Sequence, residues 1–341
     1  MAVTGARRGG SDQSMATLTS TLPRAGDSPM RAWEPNFPPR MLLVVNPSAT
    51  AVSPRLKNIV MYSLKGRYDL DFAETEGPSH ATVLGRDAIG AGYDVVVSFG
   101  GDGTLNEVAN GLAGSDVPLA VLPGGSTNVM CRTLGIPTDV IDATEQLLRM
   151  ADGPQLRRID LGSVNGRYFL FSSGVGIDAE TVRWVDSRHG VKARRAYLWF
   201  AYSAISRYLL RYRGRPPLLV ADVDGQRIEG ISAFVQNSDP FTYFRNRPLQ
   251  LAEEISLDSG SISLVVLKRG LTRDAFGATW RLFSPANVAR HPQGASFTHV
   301  REARIEPAGT EPLPVQVDGD FIGNHGELVY RVHPEALTIA T

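Results

Sequence analysis

One stretch limits what this chain can become more than any other. Tyr93–Asn110 reads YDVVVSFGGDGTLNEVAN. The apolar run Val95–Phe99 predicts a buried strand, Gly100–Gly103 a sharp turn, and Thr104 onward a helix. Gly100, Gly101 and Gly103 let a ligand come close to the main chain. The helix that follows offers free N–H groups to an anion. That combination suits phosphate. Asp102, set among the glycines, would repel a phosphate unless a divalent cation or a transferable proton lies between them.

The same strand, turn and helix unit repeats. Met41–Val45 leads into Asn46-Pro47-Ser48 and a helix from about Pro54 to Lys65. Tyr68–Ala73 leads into the loop Thr75-Glu76-Gly77 and a helix over Ala81–Ala91, and Pro118–Leu122 leads into Pro123–Asn128 and a helix through Cys131. Four such units predict a doubly wound parallel sheet with its turns gathered at the strands' carboxyl ends. A further amphipathic helix is expected over Asp139–Met150.

After Ala151-Asp152-Gly153-Pro154 the pattern changes to short strands: Leu156–Val164, Tyr168–Ser172, Leu218–Val223, Ile228–Gln236 and Ile262–Leu267, with others near 303–306, 315–317 and 328–332. A short helix is expected near 273–282. This predicts a second, mainly antiparallel domain beginning near residue 155. A chain of 341 residues with 43% hydrophobic content has room for about two domains.

Composition removes several classes. Lys plus Arg number 35 and Asp plus Glu 35, so no overall charge points to nucleic acid. The single cysteine, Cys131, rules out an internal disulfide framework and multi-cysteine zinc sites, and it fits a cytoplasmic setting. Residues 1–40 lack a signal-peptide core and read as a disordered tail. The stretch 197–212 is interrupted by serines and arginines and is too short to span a membrane.

Three turns, at Asn46–Ala49, Gly100–Thr104 and Gly124–Asn128, would converge on one crevice if their strands are neighbours. The phosphate loop GxxxxGK[ST] is absent, as is the protein-kinase signature set. Gly174-Val175-Gly176-Ile177-Asp178-Ala179 matches GxGxxA, but it falls among antiparallel strands and no acid follows in a βαβ unit, so it is not a dinucleotide fingerprint.

VVNPSA, FGGDGTLNEVANGL, LPGGSTNVMCRTLGIP, the block at 174–179 and VQVDGDFIG at 315–323 stand in the order and spacing of the diacylglycerol-kinase catalytic family, which includes sphingosine and ceramide kinases. The resemblance runs from about Met41 to the C-terminus. It implies an α/β ATP-binding domain over 41–155, a lipid-binding β-sandwich over 156–310, and a segment at 311–341 that returns to the first domain. It implies ATP and Mg2+ as cofactors and phosphoryl transfer to a lipid hydroxyl, most plausibly diacylglycerol giving phosphatidic acid. A sphingoid base or another lipid, then NAD, are the alternative acceptors, and a homologue that binds nucleotide or lipid without catalysis is a third reading.

By this resemblance the nucleotide site would use Asn46, Pro47, Ser48, Thr75, Gly100, Gly101, Asp102, Gly103, Thr104, Leu105, Asn106, Gly125 and Ser126. Ser126 stands where the family usually has threonine. Asp320 matches the family's catalytic glutamate with one methylene fewer; Asp102 is the second catalytic candidate, and Asp102 and Asp318 are the candidate metal contacts. Leu257-Asp258-Ser259-Gly260 has one acid where some relatives have two and bind a structural magnesium, which puts that site in doubt.

Nine Lys or Arg face one acid, Asp186, between Arg183 and Arg215, in a segment that also carries aromatic residues. A diacyl lipid does not leave the bilayer. This patch is therefore the expected contact with an anionic membrane surface, at the inner face of the cytoplasmic membrane. A homodimer is compatible with the sequence, which does not fix the oligomeric state.

Overall fold

The computed structural model describes residues 38–186, 214–244, 247–249, 251, 255–268 and 292–341. Residues 1–37 of the expected N-terminal tail, the short helix near 273–282 and all of the basic segment except 183–186 and 214–215 lie outside them, whereas Arg40, the last residue of that expected tail, already opens a strand.

The first layer is built as the sequence predicts. Strands β1 (Arg40–Val45), β2 (Asp69–Glu74), β3 (Val95–Gly100) and β4 (Leu119–Pro123) are parallel in the order β2-β1-β3-β4. All of β3 and β4 is buried. Such unbroken burial belongs to strands covered on both faces. The covering helices are α1 (Pro54–Leu64), α2 (His80–Ala91), α3 (Asp102–Leu112), α4 (Val129–Thr133) and α5 (Val140–Met150). Local caps start two of them: the Ser53 hydroxyl accepts from Leu56 N, and the Asp139 carboxylate accepts from Ile141 N and Asp142 N.

The second layer departs from the expectation at instructive places. Tyr168–Ser172 reads as one strand, yet the chain forms β6 (Arg167–Phe169) and β7 (Ser172–Val175) in different sheets. Ile228–Gln236 likewise divides into β9 (Gln226–Gly230) and β10 (Ser232–Gln236). At the first crossing the linking residues Leu170 and Phe171 are apolar and buried, so the sequence carries no sign of the step; at the second, Gly230 precedes the buried Ile231. The remaining elements are β5 (Leu156–Val164), α6 (Ile177–Asp186), β8 (Leu219–Val223), β11 (Thr242–Phe244), β12 (Arg247–Leu249), β13 (Ile262–Leu267), β14 (Gly294–Val300), β15 (Glu302–Pro307), β16 (Leu313–Val317), β17 (Asp320–His325) and β18 (Leu328–Ala340).

Among the described residues, a six-stranded sheet runs β14-β13-β10-β7-β16-β17 and is antiparallel in every pairing. Its Val235, Leu264 and Val315 share one buried core with Phe169 of β6, Ile305 of β15 and Tyr330 of β18. Those strands are not separate from the first layer. β18 pairs with β15 along its first half and with β5 on both sides of a bulge between His333 and Leu337, and after the bulge its other edge reaches β4, where Ile339 lies opposite Leu119. Ile339 is therefore buried in the first core although it closes the second. Ile339→Ala is expected to cost about 2–5 kcal/mol of unfolding free energy in a urea titration, as for a core aliphatic residue.

Candidate active site

Because β1, β3 and β4 are adjacent and parallel, their carboxyl-terminal turns meet. Asn46 N donates to Phe99 O at 2.9 Å, Gly124 N to Gly100 O at 2.7 Å, and Ala51 N to Gly124 O at 2.8 Å. A Cβ on Gly124 would stand 2.8 Å from Gly100 Cα. That glycine is thus required by turn-on-turn packing before any ligand is considered. Asn46 joins the first two turns: its Nδ2 donates to Thr104 Oγ1 at 2.8 Å, and its Oδ1 accepts from Ser48 N at 2.9 Å.

The expected nucleotide residues divide by exposure. Pro47, Ser48 and Ser126 are exposed, and Thr75, Gly101, Gly103 and Gly125 are half-buried around the same mouth. Thr104, Leu105 and Asn106 turn their side chains inward. The N-terminus of α3 has no side-chain cap, so its first N–H groups are left for a ligand. An uncapped helix start behind glycine turns fits a phosphate.

Asp102 does not face outward from its turn. Its Oδ2 accepts from Val129 N at 3.1 Å and its Oδ1 from Met130 N at 3.3 Å, tying the second turn to α4. Burial pushes its carboxyl above the ordinary range, opposed by those N–H donors.

Asp318 and Gly319 form the two-residue turn between β16 and β17, with φ of 47° and 86°, the signature of a type I′ hairpin. Asp318 is 5% exposed. Its carboxylate accepts from Leu170 N at 2.7 Å, Phe171 N and Ser172 N at 3.0 Å, and Asn106 Nδ2 at 2.8 Å. Those four donors occupy the roughly four acceptor positions of a carboxylate. Burial pushes its pKa up to about 6 against their pull.

Asp320 opens β17 and is exposed. The hairpin carries its carboxylate across to the glycine turn: a Cβ on Gly103 would lie 2.6 Å from Asp320 Oδ2. Residues more than two hundred positions apart, Gly103 and Asp320, thus form one wall.

Beside this contact runs a cleft of about 160 Å3. Asp102, Asp178 and Asp318 supply its acids, and Phe171, Val182 and Phe241 its apolar side. Asp178 lies in the first turn of α6, two residues after Gly176, and Gln316 Nε2 donates to its Oδ2 at 2.6 Å while Gln316 Oε1 accepts from Gly319 N at 2.8 Å. Burial pushes Asp178 up to about 6, with the Gln316 bond opposing it.

Asp178, Gln316 and Glu107 are site residues that the sequence does not single out. Glu107 accepts from Ser79 N and Ala81 N, at 2.8 and 3.2 Å, and so caps α2 and shapes the loop after Thr75. A lone acid between Gly176 and Ala179 in an apolar run was the available signal for Asp178.

Among the described residues no three metal-ligating side chains converge. Mg2+ in phosphoryl-transfer sites is commonly held by one or two carboxylates together with substrate phosphates, so a protein cage is not required. Asp102, which has fewer donors around it than Asp318, keeps acceptor capacity, and Asp318 does not. The turn at 257–260 does not fit a structural cation: Asp258 takes Arg157 Nη2 at 2.8 Å and Ser256 Oγ at 2.7 Å, and Ser259 Oγ donates to Ser261 O. These bonds, the Ser256 hydroxyl first and then Arg157, hold the Asp258 carboxyl below its usual range.

Glycine turns at the ends of adjacent parallel strands, faced across an acid-lined cleft by a hairpin carboxylate, define a phosphoryl-transfer enzyme of α/β type. The comparisons place it more narrowly. Residues 40–164 match the model of the diacylglycerol kinase catalytic domain. The chain is 30% identical over 260 residues to a diacylglycerol kinase of Bacillus subtilis (strain 168), covering 73% of this chain and 80% of that protein. It is 25% identical over 276 residues to a diacylglycerol kinase of Staphylococcus carnosus (strain TM300), covering 79% and 83%. The fold is that of a diacylglycerol kinase crystal structure from Bacillus anthracis str. Sterne, with a TM-score of 0.68 and 22% identity over 90% of this chain and 98% of that one. The chain belongs to the diacylglycerol kinase family and is a lipid kinase acting on an alcohol group.

Two outcomes follow from the geometry. Gly103→Ala is expected to push the Asp320 carboxylate away and lower kcat by about 10²- to 10⁴-fold, with little change in melting temperature. The pKa of Asp178 lies above its unfolded value of roughly 3.9, so the native state binds more protons than the unfolded one between about pH 4 and 6. The resulting penalty is complete above about pH 6 and vanishes below about pH 4. Asp178→Asn is therefore expected to raise stability by up to about 3 kcal/mol at pH 8, a gain that shrinks as pH falls in thermal melts across that range.

Proposed function

We propose that the protein transfers the γ-phosphoryl group of ATP to the free hydroxyl of diacylglycerol, giving phosphatidic acid and ADP. The observation that carries this reading is the Asp320 carboxylate lying against Gly103, at the uncapped start of α3 and beside an apolar-walled cleft. The phosphates would rest on the α3 N-terminus and on the turns at 46–48 and 125–126. The lipid hydroxyl would enter past Phe171, Val182 and Phe241, with its acyl chains outside. Its oxygen attacks the γ-phosphorus, the bond to the ADP oxygen breaks, and the hydroxyl proton passes to Asp320. Asp102 holds the turns in register and, with the nucleotide, would share Mg2+, which neutralises phosphate charge when bound. The short side chain of Asp320 still reaches the glycine turn, because the hairpin sets its Oδ2 2.6 Å from where a Cβ on Gly103 would stand. The named relatives, diacylglycerol kinases of two bacteria, favour a glycerolipid over a sphingoid base.

Substrate in a bilayer obliges the enzyme to come to the membrane. No helix among the described residues is long and apolar enough to cross it. Docking through the basic segment 183–215, at the inner face of the cytoplasmic membrane, suits this requirement.

Labelled ATP offered with diacylglycerol, sphingosine, ceramide and NAD in parallel decides the acceptor. Label is expected in phosphatidic acid; label in NADP or in a sphingoid phosphate alone would overturn the reading. Asp320→Asn is expected to lower diacylglycerol turnover by about 10²- to 10⁴-fold without loss of fold.

A further inference from the structure

Asn106 belongs to the GGDGT helix, yet nothing of its side chain is left for a nucleotide. It is 1% exposed. Its Nδ2 donates to Asp318 Oδ2 at 2.8 Å and to Tyr168 O at 2.9 Å. Its Oδ1 accepts from Arg167 Nη2 at 3.0 Å and from Asn110 Nδ2 at 3.1 Å. Both donor hydrogens and both acceptor positions are thus used. A donor on Oδ1 fixes which end of the amide faces Asp318: were the amide reversed, Arg167 and Asp318 would each meet a group of their own kind.

The partners lie on different layers. Asn106 is in the second turn of α3, in the parallel layer, and Asp318 is at the tip of the β16–β17 hairpin of the antiparallel sheet. Two residues beyond Asp318 stands Asp320, whose carboxylate touches Gly103, three residues before Asn106. The hairpin tip is therefore fixed to α3 at one point and delivers its exposed acid to α3 at another. Asn110 reinforces the base of this latch by pairing with both the N–H and the C=O of Tyr168.

We propose that Asn106 and Arg167 are positioning residues, acting through Asp318 to hold Asp320 at Gly103 for proton acceptance. The inference rests on the lipid-kinase reading above for its catalytic meaning and on the latch geometry alone for its structural one. Arg167 sets the amide, the amide holds the hairpin tip, and the tip aims the base. Displacement of a catalytic group by about 1 Å can cost about 10²-fold in rate. Loss of the latch should therefore appear in kcat and leave nucleotide affinity alone.

Two measurements on the full chain test this separately. In the diacylglycerol assay, Asn106→Ala and Arg167→Met are expected to lower kcat by about 10- to 100-fold while KM for ATP stays within about twofold. Arg167→Lys, which keeps a donor for Asn106 Oδ1, is expected to recover most of the loss. A raised KM for ATP at unchanged kcat would make Asn106 a nucleotide contact and overturn the proposal, as would full activity of Arg167→Met. The Arg167 pair decides the matter if Asn106→Ala does not fold.

The second measurement needs no turnover. Gly103→Cys with Asp320→Cys is expected to form a disulfide under mild oxidation, the buried Cys131 remaining silent. Adding Arg167→Met is expected to slow that reaction by about tenfold or more, and an unchanged rate would overturn the latch. A slowed cross-link in a protein that phosphorylates no lipid would refute the proposed function and leave the latch standing.

Discussion

The buried carboxylate of Asp318 governs the relation between the two layers. A charge enclosed this far is tolerated only when hydrogen bonds replace its water, and here three consecutive backbone N–H groups and one side-chain amide do so. Three of those donors come from the segment that leaves β6 for β7, and the fourth from α3. The point where the chain crosses between sheets is thus pinned to the hairpin that carries Asp320. Removing the carboxylate would strand all four donors together.

The first layer was largely legible from sequence because its signals are local. Apolar runs ending in NPS, GGDGT and PGGST each fix a strand, its turn and the start of a helix within about fifteen residues, and parallel order then brings the turns together. Asp318-Gly319 was equally legible as a hairpin turn. What one sequence does not display is which buried group an acid meets. Asp318 reads as a metal contact until the four N–H groups around it are seen. Asn106 reads as part of a nucleotide motif until its amide is found facing a residue 212 positions away.

The second layer was less legible for a related reason. At residues 170–171 the chain passes between sheets without a glycine or proline to mark the step, because both sides of the step are buried; at Ile231 the one mark is Gly230, where a Cβ would run into Val266 Cγ1. The strand expected from Leu156 does form, but its partners are β18 and β6, so hydrogen bonding passes without a break from the parallel strands into the antiparallel ones. Asp178 was hidden among glycines and aliphatic residues, and its neighbour Gln316 lies on a strand 138 residues on.

That continuous sheet bears on how the protein comes into being. β4 cannot acquire its second neighbour until β18 has been made, and β18 is the last strand of the fold. During synthesis the four parallel strands therefore emerge with the apolar edge of β4 uncovered, and most of the chain is made before Ile339 reaches Leu119 there. Pairings of such sequence separation are slow to form and leave strand edges open to other chains in the interval. A protein built this way acquires its glycine turns early and the hairpin that carries Asp320 late, so partial chains on the ribosome hold the first without the second.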